Sequence, residues 1–173
     1  MTLRNGPAGY GWLTKALHWL TVLAVAAQFT VGYLMDADDS GRGRGRGRSG
    51  ESGRGRGGEG SGYLDDPETL LRVHVALGLT ILLLAVVRLG WRRVAGLPPW
   101  SEYLSEGQRR LAHWTERALL ALLFVVPLSG LALVAAGDDD VLPLHVGAHL
   151  AFYVALAAHL FTNLRPRVLR RML

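Results

Sequence analysis

Of the six histidines in the chain, His145, His149 and His159 lie in one apolar segment running from Leu142 to Phe161. Fourteen residues separate His145 from His159. In a helix that spacing returns to within about 40° of the same face, roughly 21 Å further along the axis. Imidazoles near opposite ends of a segment long enough to cross a bilayer are costly unless they are paired or bind a metal. His18, His74 and His113 each stand near the start of another apolar segment and can supply the partners. The chemistry that paired imidazoles support is axial ligation of a low-spin haem. With both axial positions taken there is no site for a substrate on the metal, and the metal is left to pass electrons.

These residues need a scaffold that holds them at two levels. The chain has 173 residues, half of them hydrophobic, and carries a formal net charge of +5. It has no cysteine, which excludes disulfides, iron–sulfur clusters and the C-x-x-C-H attachment of c-type haem. No internal repeat of solenoid period is visible. The first apolar run reads as a spanning helix, since it is long and no small-residue cleavage site follows it. The fold class expected is an all-α transmembrane four-helix bundle in one domain, with helices over about 14–35, 70–91, 110–136 and 141–164.

The Asp36-Ala-Asp-Asp39 cluster is expected to end the first helix. Residues 40–62 form a Gly/Arg/Ser tract that can bury no apolar area and is expected to be a disordered, solvated loop. Its arginines are offset by flanking acids, so nucleic acid is not an expected partner; the expected surroundings are a lipid bilayer. Asp65-Asp66-Pro67-Glu68 opens the second helix, Arg92, Arg93 and Pro98-Pro99 close it, and Pro127 should kink the third. The six arginines of 40–62 argue for the opposite orientation but lie mostly away from the helix ends and among acids. The N-terminal tail, the connector between helices two and three and the C-terminal tail all carry Lys or Arg, and the 137–140 link carries none. That distribution favours both termini on the cytoplasmic side (N-in/C-in).

With that topology His18 shares the cytoplasmic level with His159, and His74 shares the opposite level with His145 and His149. The candidate axial pairs are His18 with His159 and His74 with His145. Gly78, one turn after His74, leaves room for a flat macrocycle. Arg72 on one side, and Arg88 or Lys15 on the other, are candidate cations for buried propionates. A metal-ion site is the competing chemistry, since His145 and His149 form an i, i+4 pair, but no H-E-x-x-H cluster accompanies them. No residue reads as a catalytic acid, base or nucleophile. His113 is a candidate for supporting a ligand, lying on a haem edge or lining a quinone pocket.

The ordered set of motifs resembles the bacterial cytochrome b561 family of four-helix, dihaem membrane proteins. The matching pieces are Lys15-Ala-Leu-His18-Trp19, His74-Val-Ala-Leu-Gly78, Leu111-Ala-His113, Val126-Pro127-Leu-Ser129-Gly130, the two histidines fourteen apart, and Val168-Leu-Arg-Arg-Met-Leu173. The resemblance implies two non-covalent b-type haems held by His18/His159 and His74/His145. It also implies electron transfer across the bacterial inner membrane and ubiquinone as a partner. Superoxide oxidation with quinone as acceptor is one activity of the family. The runner-up is a membrane-anchor subunit passing electrons from a periplasmic dehydrogenase or hydrogenase to quinone. From a different class comes a haem-free metal-ion transporter. A periplasmic electron donor and a homo-oligomer are the other partners considered. Two departures stand out: Glu116 occupies the position where many relatives carry a second histidine, and the tail after His159 is short. A slip in helix-four register would make His149 the competing ligand.

Overall fold

The computed structural model describes residues 3–6, 9–43, 67–99, 104–136 and 140–164. Four helices account for most of them: α1 (Trp12–Gly43), α2 (Pro67–Ala95), α3 (Glu106–Ala136) and α4 (Leu142–Asn163). Each carries a stretch long and apolar enough to cross a membrane. At 1.5 Å per residue, even the 22 residues of α4 reach roughly the 30 Å of a bilayer core. Helices suit that setting because every interior backbone group is satisfied within the segment.

Packing follows chain order: α1 lies along α2, α2 along α3 and α3 along α4. Cross-contacts give the directions. The start of α1 meets the ends of α2 and α4 through His18, Arg88 and His159. At the other end, the start of α4 meets the end of α3 through His145 and Ser129. The bundle therefore runs up, down, up, down. Its centre is small: Ile81, Ala85, Leu123 and Phe152, with Phe29, Leu122 and Leu156 packed against them. Most large apolar side chains face outward, among them Leu150 at 66% and Phe161 at 69% exposure. Only lipid makes such a surface stable.

The helix ends differ from the sequence expectation in informative ways. The expected end of the first helix is the Asp36-Ala-Asp-Asp39 cluster, but α1 continues to Gly43. Acidic residues end the apolar surface without removing any backbone N–H, so the hydrogen-bond ladder runs on through the first four residues of the expected loop. The remainder of that loop, 44–62, lies outside the described residues, as do Asp65, Asp66 and the Val168–Leu173 tail motif. α2 begins at Pro67 rather than 70, since proline is well suited to a first helical turn. Arg92 and Arg93 do not close it; they occupy its last turn, where cations complement the helix dipole. The stop is Gly96, whose φ of 68° belongs to the left-handed region and whose N–H donates to the Arg92 carbonyl. α3 starts at Glu106 because Ser105 and Gln108 form a reciprocal capping box, a signal present in the sequence as Ser-x-x-Gln. It then passes through Pro127 without a break. α4 spans 142–163, one residue shorter at each end than expected.

The N-terminal lead-in is built into the fold. Asn5 Oδ1 accepts from the Gly11 N–H and the Thr14 hydroxyl, and Asn5 Nδ2 donates to the Gly96 carbonyl at 2.7 Å. Trp91 Nε1 donates to Thr14 Oγ1 and completes the tie between α1 and α2. Gly11 is required here, since a Cβ would lie 2.5 Å from the Leu3 carbonyl oxygen. Asn5→Ala should lower stability by about 1–3 kcal/mol, read as an earlier thermal transition in detergent. An unchanged transition would show that the clasp contributes nothing.

Candidate functional site

Two histidine sites occupy the two ends of the bundle. At the first, the α1 imidazole of His18 and the α4 imidazole of His159 stand with ring centroids 6.3 Å apart and planes inclined at 46°. Two imidazoles bound from opposite sides of one metal at about 2 Å per bond would place their centroids roughly 6 Å apart. The observed separation fits. Arg88 Nη1 of α2 lies 3.5 Å from His18 Nδ1, a long contact that keeps the guanidinium beside the pair. Arg92 pairs with Glu116 of α3 at 3.7 Å. Asn163 Nδ2 approaches His159 Nδ1 at 3.4 Å and donates to the His159 carbonyl at 2.9 Å. Lys15 is half-buried near the same end.

At the second site His74, His145 and His149 line one largely apolar cavity together with Gln28, Phe29, Gly78 and Gly130. The rings of His145 and His149 meet edge to face at 4.5 Å, and Phe29 lies 6.2 Å from His149. Gln28 and His74 share a hydrogen bond of 2.9 Å between Nε2 atoms. Gln28 Oε1 and His74 Nδ1 are buried with no hydrogen-bond partner, which in an apolar bundle points to a bound group.

Glycines from three helices lie against the side chains of this site, Gly78 and Gly130 in the cavity wall itself. A Cβ on Gly130 would meet His145 Cε1 at 2.9 Å, and one on Gly32 would meet His74 Cε1 at 3.6 Å. Gly78 is buried and faces Gln28. At Gly32 and Gly130 the imidazoles themselves take the space a side chain would fill, so these glycines let His74 and His145 pack closely against α1 and α3. Among the described residues no group of three or more His, Asp or Glu side chains is arranged to hold a metal ion.

The structure thus brings together His18, His159 and Arg88 at one end, and His74, His145, His149 and Gly78 at the other. Arg72 is exposed, two positions before His74 and so about 200° around α2 from it. His113 stands beside Trp114 at the start of α3, on the same end of the bundle as His18. Sequence reasoning missed Gln28, Gly32, Ser129 and Asn163. Gln28 did carry a signal, as a polar side chain inside an apolar span.

A family model described as prokaryotic cytochrome b561 matches residues 9–173. No curated protein and no solved structure matches the chain.

Proposed function

The chain belongs to the prokaryotic cytochrome b561 family, a family of membrane haem b electron-transfer proteins, and on that premise we propose that it is a dihaem carrier. It moves electrons between a donor on the periplasmic side, with superoxide the candidate, and ubiquinone. Two imidazole sets at the two ends of one bundle are the observation that supports this reading, the His18/His159 separation of 6.3 Å above all.

His18 and His159 would hold one haem, and His74 and His145 the other. When bound, haem supplies reversible one-electron chemistry. Two imidazoles per haem would leave no place for substrate on the metal, so the bound group would serve electron transfer alone. Gly32 and Gly130 let the His74 and His145 rings pack against α1 and α3, and Gln28, its amide nitrogen bonded to His74, keeps an unpartnered Oε1 in the cavity wall. Arg88, beside His18, would pair a haem propionate there, where an unpaired carboxylate would be costly in lipid. Arg72, the candidate cation for the opposite site, stands exposed on the other side of α2 from His74, so the structure gives it no such place. The basic residues flanking the α2–α3 connector (Arg92, Arg93, Arg109, Arg110) and in the C-terminal tail support an N-in/C-in arrangement in the bacterial inner membrane, with the His18/His159 pair on the cytoplasmic side. The fourteen residues between His145 and His159 separate the two levels by roughly 21 Å along α4.

The test is a reduced-minus-oxidised visible spectrum of detergent-purified protein with pyridine haemochrome quantification. The expected outcome is about two haems b per chain. One haem would remove one of the two ligand pairs from the assignment. Protein made with adequate haem supply and lacking a Soret band would sink the reading altogether.

A further inference from the structure

Ser129 sits on α3, buried, one residue before the glycine that faces His145. Its Oγ makes two contacts of 2.9 Å, one to the Val126 carbonyl oxygen and one to His145 Nδ1. A serine hydroxyl has one proton and two lone pairs. A carbonyl oxygen has no proton to give, so the Val126 contact uses the serine's only one. Ser129 can then meet His145 only as an acceptor. His145 Nδ1 must carry the hydrogen, and Nε2 is left with a lone pair. Back-bonding to the preceding turn is common for helical serine and would mean nothing alone. The second contact, to a histidine on another helix, is what makes this one a support.

The two histidines of this site are treated differently. His74 Nδ1 is buried without a partner, whereas His145 Nδ1 is anchored from α3. His149 shares the cavity with His145, at a ring separation of 4.5 Å. Something must select between them.

We propose that Ser129 is a positioning residue that holds His145 in the Nδ1–H tautomer, turns its Nε2 toward the iron, and biases that haem toward the ferric state. The proposal rests on the dihaem reading above. Its physical basis is that a hydrogen bond accepted from Nδ1–H makes the imidazole a stronger donor through Nε2, which favours the higher metal charge. The Val126 bond polarises the serine oxygen and strengthens that acceptance.

The experiment is a potentiometric titration of the purified protein with Ser129→Ala and Ser129→Thr beside the wild type. In Ser129→Ala one of the two haem potentials should rise and the other stay in place. A tenfold loss of ferric preference corresponds to about 59 mV for one electron. Ser129→Thr, which keeps the hydroxyl, should restore the wild-type value. The haem at His18/His159 is an internal control for folding. Two unmoved potentials in Ser129→Ala would overturn the proposal. So would equal losses of both haems in Ser129→Ala and Ser129→Thr, which would mark Ser129 as structural. A wild-type protein holding fewer than two haems would instead overturn the dihaem reading, a result visible before any variant is made.

Discussion

Replacing His74 with alanine halves the haem content, from about two to about one per chain, and leaves the spectrum of the His18/His159 haem intact. The reason is separation. His74 and His18 belong to sites at opposite ends of the bundle, and among the described residues neither His18 nor His159 lines the second cavity. His74 is the histidine that α2 contributes to its cavity, so its removal leaves no substitute on that wall. His145 differs, because His149 stands 4.5 Å away on the same helix. His145→Ala should still lose or strongly perturb that haem, while His149→Ala should leave the count at about two. The converse result would transfer ligation to His149 and move the assigned register by one turn. Pyridine haemochrome analysis of the three variants decides it. If His74→Ala retained both haems, the pairing by level would be wrong.

Gly130→Ala is expected to disrupt the same site without touching a ligand. Its new Cβ would lie 2.9 Å from His145 Cε1 and 3.4 Å from Nδ1. The ring must shift, and the 2.9 Å bond from Nδ1 to Ser129 lengthens with it. Displacing a ligand and loosening its outer partner together should weaken haem retention by roughly 10- to 100-fold. Gly130→Leu should abolish it. Gly90→Ala is the matched control. Gly90 lies inside α2, exposed, and a Cβ added there would meet nothing within 4 Å, so alanine should be neutral or stabilise the helix by about 0.5–1 kcal/mol. The same substitution thus has opposite signs at two helical glycines. Haem titration of both variants, with thermal unfolding alongside, reads the difference. Equal haem affinity in Gly130→Ala and wild type would show that the cavity wall yields freely.

Much of this arrangement was readable from residue order alone. Apolar runs of spanning length define four helices, and the spacing of His145 and His159 requires two levels on one helix face. His18 and His74, placed near the starts of helices one and two, match those levels once the helices alternate in direction. Gly78 was readable because it follows His74 by one turn of the same helix, and the capping box at Ser105 and Gln108 was present as a local pattern. All of these depend on distances along one segment, which α-helical geometry sets without reference to neighbours.

What required the tertiary structure was the rotation of each helix about its own axis. A water-soluble helix announces its inward face by an apolar stripe, but these helices are apolar nearly all round because lipid replaces water outside. The pattern therefore does not show that Gln28 and Gly32 turn toward His74, or that Ser129 and Gly130 turn toward His145. Those contacts are set by how the four helices settle against one another, through Phe29, Leu123 and Phe152 at the centre and the Asn5 clasp at one end. Which metal-binding residue types the protein has, and at what heights, was determined by its sequence. Which small and polar side chains surround and orient each imidazole was decided by packing.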